Sequence, residues 1–356
     1  MNAIRSTTGW VMTEPGKPVE QREISIAAPA AGEALIEVAG CGVCHTDISF
    51  LHMGVKTRAP LPLVLGHEIS GVVRETGEGV DASLCGRPVV VPAVLPCGTC
   101  ALCKAGHRTI CRNQLMPGND RHGGFAAHVV VPARYLCPVS DEVLAGHELW
   151  QLAVVADAVS TPFMSVRRAR VESGDLAIVV GAGGIGIYCV QCAVAAGAKV
   201  IVLDVNDEKL ELAKQHGAAA GIQVRGLQEK EVKDRLKEEV KRLGAPSVRW
   251  RIFETSGTAA GQRTAFSLLN HGAYLAIVGF TMDKLDVRLS NLMAFDATVR
   301  GNWGCDAALY PEILQWLAEG KVRVGPLTKR WALSDINSVL DMAHRGELAE
   351  RAVLVP

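Results

Sequence analysis

From its start to about Ala153, the chain alternates apolar and polar residues in short runs, such as Ala34-Leu-Ile-Glu-Val-Ala-Gly40 and Ser70-Gly-Val-Val-Arg74, punctuated by Gly and Pro. Period-two alternation of that length predicts short strands joined by loops, a barrel-like β region. From about Asp157 to Asp296 the pattern changes. Wholly apolar runs such as Leu176-Ala-Ile-Val-Val180 and Lys199-Val-Ile-Val-Leu-Asp204 alternate with helix-compatible stretches, which predicts a doubly wound sheet of parallel strands buried on both faces. Gln228 to Leu243 reads as a helix with an apolar stripe at Val232, Leu236, Val240 and Leu243. Its charges form a solvated face, with Glu238 four residues before Arg242. Leu176 to Ala198 carries no charge and is long enough for a membrane helix, but the glycines at 181–186 break it into strand, turn and helix. After Asp296 come Gly301-Asn-Trp-Gly-Cys305 and then helical and strand segments to Pro356.

Composition narrows the class. A chain of 356 residues suggests two domains. Its 37 basic residues balance 37 acidic ones, so neither nucleic acid nor an anionic membrane is expected as partner. The opening MNAIRSTTGWVMTEPGK lacks an apolar core and a small-residue cleavage site, so no secretory signal is expected. The eleven cysteines are odd in number and four have metal spacing, which favours reduced thiols in a cytoplasm over disulfides.

The candidate chemistry is concentrated in three places. Cys97, Cys100, Cys103 and Cys111 have the spacing C-x2-C-x2-C-x7-C, enough to surround one zinc ion and leave it no open position, hence structural rather than reactive. Gly181, Gly183, Gly184, Ile185 and Gly186 follow a strand and open a helix, the arrangement that admits a pyrophosphate. Asp204, 18 residues after Gly186, is placed to bind ribose hydroxyls and to repel a 2′-phosphate, so NAD is favoured over NADP; Lys209 is assigned to the same site. Cys44 and His67, 23 residues apart, are the third group.

With Gly40-Cys-Gly-Val-Cys44-His-Thr46-Asp47 and Gly66-His67-Glu68 added to the cysteine and glycine loops, nearly the whole chain resembles the zinc-dependent medium-chain alcohol dehydrogenases. The resemblance implies an α/β protein in which a GroES-like β catalytic domain (1–155, with a structural-zinc lobe at about 95–113) is followed by a Rossmann domain (156–297) and a return to the catalytic domain (298–356). It implies two zinc ions per subunit and NAD. Cys44 and His67 would bind the catalytic zinc, Thr46 would take the substrate proton, and Asp47 would support the histidine. Many members place a third cysteine ligand where this chain has Asp157. Asp157 then either completes the site, with Glu68 close enough to act as an occasional ligand, or caps a helix N-terminus. The histidine that often ends the proton relay is replaced by Ser49. His52 is either its substitute or a surface histidine.

Within the family, Glu254-Thr-Ser-Gly-Thr-Ala-Ala-Gly-Gln262, Gly279-Phe-Thr-Met-Asp-Lys284, Val287-Arg-Leu-Ser-Asn-Leu-Met-Ala-Phe-Asp296 and Gly301-Asn-Trp-Gly-Cys305 resemble the branch acting on 6-hydroxycyclohex-1-ene-1-carbonyl-CoA in anaerobic aromatic-compound degradation. That resemblance implies NAD-linked oxidation of a ring alcohol on a CoA thioester to its 6-oxo product. The residues themselves do not show CoA binding; Arg167, Arg168 and Arg170 serve equally as phosphate partners or as a charged helix face. The alternatives are a polyol or simple secondary alcohol as substrate, hydride transfer to a conjugated enoyl-CoA double bond, or a non-enzymatic zinc store or redox sensor. A homo-oligomer, dimer or tetramer, is expected.

Overall fold

The computed structural model describes residues 4–356. The chain packs as two units, one running to Ser160 and resuming at Gly304–Pro356, the other Thr161–Trp303.

The first unit is built on Glu33–Gly42, a strand whose two register shifts, at Leu35/Ile36 and Val38/Gly40, let it curve. It pairs antiparallel with Glu68–Thr76 on one side. On the other it pairs with His128–Pro132 through residues 33–37 and with Arg351–Val355 through Cys41 and Gly42. Pro88–Val91, Cys137–Pro138 and Thr328–Ala332 extend this sheet. A smaller sheet joins Glu20–Ala27, Ile4–Met12 and Leu63–Val64. Ile36, Leu65, Ile69, Val73 and Phe125 are completely buried between the strands, each worth roughly 1.5–3 kcal/mol relative to exposure.

The second unit is a six-stranded parallel sheet. Its spatial order is Ala220–Gln223, Lys199–Asp204, Leu176–Val180, Arg251–Glu254, Tyr274–Ile277 and Thr298–Gly301. The chain reverses direction of winding at Leu176–Val180, which puts the end of that strand at the switch point where such sheets bind ligands. The stripe helix is Glu229–Arg242, with Val232, Leu236 and Val240 buried. Arg242 pairs with Glu239, one turn back, rather than with Glu238.

Two expected boundaries move. Thr298–Gly301 pairs in register with Tyr274–Ile277, so the return to the first unit begins at Gly304 rather than 298. The 3-10 helix Leu149–Ala156 packs on Glu33–Gly42 and Glu68–Thr76, which keeps residues up to Ser160 with the β unit rather than ending it at 155. Leu176–Ala198 is the expected strand, turn and helix, and among the described residues no single helix is long and apolar enough to cross a membrane.

Candidate active site

Cys44 follows the curved strand and N-caps the helix His45–His52. Its backbone N–H donates to Asp47 Oδ2 at 3.0 Å. The other oxygen of this buried carboxylate accepts from Gly66 N–H at 3.1 Å, so one side chain fixes the helix start to the turn that presents His67. Gly66 has φ 93°, a conformation that glycine adopts without the strain a side chain would bring. Asp157 leaves the end of the 3-10 helix Leu149–Ala156 as its C-cap, so it is not a helix N-cap. The Ala156 carbonyl accepts from Ser160 Oγ at 3.1 Å and from the Tyr310 hydroxyl, which secures the backbone on which Asp157 rides.

The structure brings Cys44, His67, Glu68 and Asp157 together, one ligand atom from each lying within 4.8 Å of the others. Asp157 Oδ2 is 3.7 Å from Cys44 Sγ and 3.6 Å from His67 Nε2. His67 Nδ1 is 3.5 Å from Asp47 Oδ1. Both ring nitrogens are buried without a hydrogen-bond partner, an expensive arrangement unless something else satisfies them. A cation at Nε2 meets that need, with Nδ1–H turned to Asp47 in the carboxylate–histidine–metal pattern. Burial alone would lower the imidazole, but the charges of Asp47 and Cys44 outweigh it and raise it well above its ordinary value, so these groups already attract positive charge. The donor set of one sulfur, one nitrogen and carboxylate oxygen suits zinc. Thr46 Oγ1 stands 3.7 Å from Cys44 Sγ.

Glu68 is occupied. It is fully buried, and both of its oxygens accept from the Arg351 guanidinium, Oε2 at 3.0 Å from Nε. Burial pushes its carboxyl up while Arg351 opposes the shift. Burial also works against the charge on Arg351, yet Glu68 outweighs this and raises the guanidinium further. Gly42 lies opposite Glu68 in the sheet, and a Cβ there would stand 2.1 Å from Glu68 Oε2, so only glycine leaves room for the pair.

The four-cysteine loop is equally closed. Cys97 and Cys111 sulfurs are 3.5 Å apart, Cys100 and Cys111 3.8 Å, and Cys97 and Cys103 4.0 Å. Four sulfurs held tetrahedrally at about 2.3 Å from one ion stand about 3.8 Å apart. Backbone N–H groups of Thr99 and Cys100 draw the Cys97 thiol down to about 5, and burial pushes Cys103 up to about 12. Four neighbouring thiolates need a cation to coexist, and the loop fits zinc.

In the second unit, Leu176–Val180 is buried along its whole length and runs into Gly181, φ 96°. A Cβ on Gly186 would lie 1.8 Å from the Gly181 carbonyl, while the space around Gly183 is open, the side where a phosphate can approach. Gly184 is exposed, and Ile185 precedes the helix Gly186–Ala195 as its N-cap. Asp204 closes the next strand. Its Oδ2 accepts from Ala182 N–H at 2.6 Å and its Oδ1 from Asn206 N–H at 2.9 Å, leaving lone pairs for further donors. Lys209 lies in the first turn of Asp207–Gln215, half-buried, its N–H capped by Asn206 at 3.2 Å.

Known proteins resemble this chain along its length. Residues 30–141 match the alcohol dehydrogenase GroES-like domain and residues 184–319 the zinc-binding dehydrogenase family. An alcohol dehydrogenase of Geobacillus stearothermophilus is 30% identical over 348 residues, 97% of each chain. The chain belongs to the zinc-dependent alcohol dehydrogenase family. A 2-dehydro-3-deoxy-L-galactonate 5-dehydrogenase of Pseudoalteromonas atlantica is 38% identical over 190 residues, 53% of this chain and 54% of that protein. The cobalt- and zinc-bound thermostable alcohol dehydrogenase of Pyrobaculum aerophilum superposes with TM-score 0.84 at 26% identity, covering 99% of this chain and all of that one. The chain is therefore a zinc- and NAD-dependent oxidoreductase with a GroES-like and a Rossmann domain.

In this dehydrogenase His52 lies away from Thr46. Six residues of helix separate them by about 9 Å along the axis. His52 stacks on His344 with ring centres 4.6 Å apart and its Nε2 stands 3.9 Å from Asp341, so it faces the helix Ile336–Arg345. Ser49, at the usual relay position, donates to the His45 carbonyl at 2.9 Å. Sequence reasoning missed Arg351 and Tyr310. No local spacing marks either: Arg351 begins an otherwise apolar strand, and Tyr310 looks like ordinary core.

Proposed function

We propose that this dehydrogenase oxidises a cyclic secondary alcohol carried on a CoA thioester, 6-hydroxycyclohex-1-ene-1-carbonyl-CoA, to the 6-oxo product in anaerobic aromatic-compound degradation. The reaction class is carried by one observation, the convergence of Cys44, His67 and Asp157 next to the Thr46 hydroxyl. The substrate assignment is supported by the resemblance of segments 254–262, 279–284, 287–296 and 301–305.

Zinc, when bound, supplies a Lewis acid that lowers the pKa of the alcohol, and NAD, when bound, supplies the hydride acceptor. Cys44, His67 and Asp157 would hold the ion. Asp47 keeps His67 in the orientation and tautomer that leaves Nε2 free to bind it. Thr46 Oγ accepts the substrate hydroxyl proton and passes its own outward. Glu68, next to the ligand atoms, has both oxygens engaged by Arg351, which balances its charge. The 181–186 loop and the N-terminus of Gly186–Ala195 would receive the pyrophosphate, and Asp204, with Lys209 one turn into the next helix, would hold the ribose end of NAD.

Steady-state kinetics with the CoA thioester, its free acid, sorbitol and ethanol test the proposal. Binding energy from the remote thioester arm is available to orient the reacting carbon, so truncation should lower kcat as well as raise KM. The thioester should exceed the others in kcat/KM by about two orders of magnitude or more. Equal turnover of sorbitol or ethanol would leave the second reading, a polyol or simple secondary-alcohol dehydrogenase. That reading is favoured by the sugar-acid dehydrogenase that shares 38% identity over half the chain. Hydride transfer to an enoyl double bond is disfavoured by the complete ligand group.

A cytoplasmic homo-oligomer, dimer or tetramer, completes the proposal. All four residues of the edge strand Thr298–Gly301 are exposed, and Leu289 and Met293, earlier in the same stretch of chain, are 67% and 79% exposed. An uncovered strand edge and exposed apolar side chains each offer surface to a second copy. Light scattering on the eluting protein should give at least twice the subunit mass of 37.9 kDa.

A further inference from the structure

Glu254 ends the fourth strand of the parallel sheet and is completely buried, yet among the described residues no cationic side chain pairs with it. Its Oε1 accepts three hydrogen bonds, from Ser256 N–H at 2.8 Å, from the Ser256 hydroxyl at 2.6 Å and from Gly257 N–H at 3.1 Å. Its Oε2 is buried and accepts none. A buried carboxyl with an idle oxygen costs free energy that an apolar residue would not. What the other oxygen secures is the shape of the turn 255–258.

That turn bears on the dinucleotide loop. Thr255 N–H donates to the Val180 carbonyl at 2.9 Å, and the Thr255 hydroxyl donates to the Gly181 carbonyl at 2.7 Å. A Cβ on Gly181 would stand 2.7 Å from both Cα and N of Ser256, and one on Gly186 would stand 2.9 Å from Thr255 Oγ1. The turn thus touches the first and third glycines of the loop. On its far side the packing is as tight. A Cβ on Gly279 would lie 2.3 Å from Gly257 N and 2.7 Å from Glu254 Oε2. Gly257 itself has φ 63°. Side chains are missing on both sides of the turn, and one carboxyl oxygen folds it.

We propose that Glu254 is a positioning residue of the NAD site, folding the 255–258 turn against Gly181 and so fixing the backbone N–H groups that receive the pyrophosphate. Three variants test this by NADH titration, with KM for NAD, KM for the alcohol and kcat measured alongside. Glu254→Ala should weaken NADH binding about tenfold or more and raise KM for NAD in proportion, the loss expected when a hydrogen-bonded anchor is removed. Its kcat at saturating NAD and its KM for the alcohol should stay within about twofold of wild type, because uniform cofactor binding is what has been lost. Glu254→Gln should restore affinity to within about twofold of wild type, since the amide oxygen still accepts all three bonds and the idle oxygen had none to lose. Thr255→Val keeps the carboxyl but cuts the link to the Gly181 carbonyl, and should weaken NADH binding by about three- to tenfold. Wild-type affinity in Glu254→Ala, or an equal loss in Glu254→Gln and Glu254→Ala, would overturn the proposal. Should Glu254→Ala not fold, wild-type affinity in Thr255→Val would do the same.

Discussion

Asp47 and Asp157 are carboxylates of the same local neighbourhood with opposite duties. Asp47 is fully buried and spends its oxygens on Cys44 N–H and Gly66 N–H, so it shapes the site. Asp157 points an oxygen at Cys44 and His67, the placement a third ligand needs. Asp157→Ala should therefore release one metal and keep the other: metal analysis of protein purified without chelator should fall from about two zinc ions per chain to about one. Two zinc ions retained in the variant would remove Asp157 from the ligand set. Thr46→Val should lower alcohol oxidation at neutral pH by about 100-fold, the usual worth of a positioned proton acceptor, with NADH affinity unchanged. Asp204→Ala should weaken NAD binding and narrow the preference over NADP, because the charge that meets a 2′-phosphate is gone. Comparable use of both cofactors by the wild type would refute this role.

At the scale of elements, the pairing of His45–His52 with Ile336–Arg345 makes a pH-dependent contact. Burial lowers the His52 imidazole, the nearby His344 lowers it further, and Asp341 partly opposes both. A histidine depressed in the folded state takes up its proton more readily when unfolded, so stability rises with pH through that interval. The contribution is full above the unfolded value of about 6.5 and is lost as pH falls from there toward the lower folded value. Melting temperature should drop between about pH 7 and pH 5, and His52→Leu should show a shallower drop; parallel curves would exclude His52 as the source. What local spacing encodes was readable at this scale: the glycine loop, the four-cysteine loop, the stripe helix and the parallel strands. What depends on distant partners was not. Thr298–Gly301 shows no buried pattern because it is an edge, so its membership of the sheet emerges only from its pairing with Tyr274–Ile277. His52 resembled a relay residue because its distance from Cys44 in sequence is short; the turn of the helix carries it to the other end.

The molecule as a whole rests on a small lobe and a discontinuous unit. Cys103→Ser should leave one sulfur fewer for the closed ion, and because a structural ion contributes directly to folding, the melting temperature should fall by roughly 5–10 °C. An unchanged melting temperature would mean that the loop carries no structural ion. The discontinuity reaches the active site through Arg351, whose strand joins Glu33–Gly42 only after the whole intervening second unit. Glu68 and Arg351 are 283 residues apart. At ribosomal rates of about 5–20 residues per second, that interval is roughly 15–60 s. Throughout it the nascent chain carries Glu68 without the cation that balances its charge in the folded protein, so the first β strands cannot close into their finished, dry form until Arg351 has been added. The catalytic half is the first to be translated and the last to be completed.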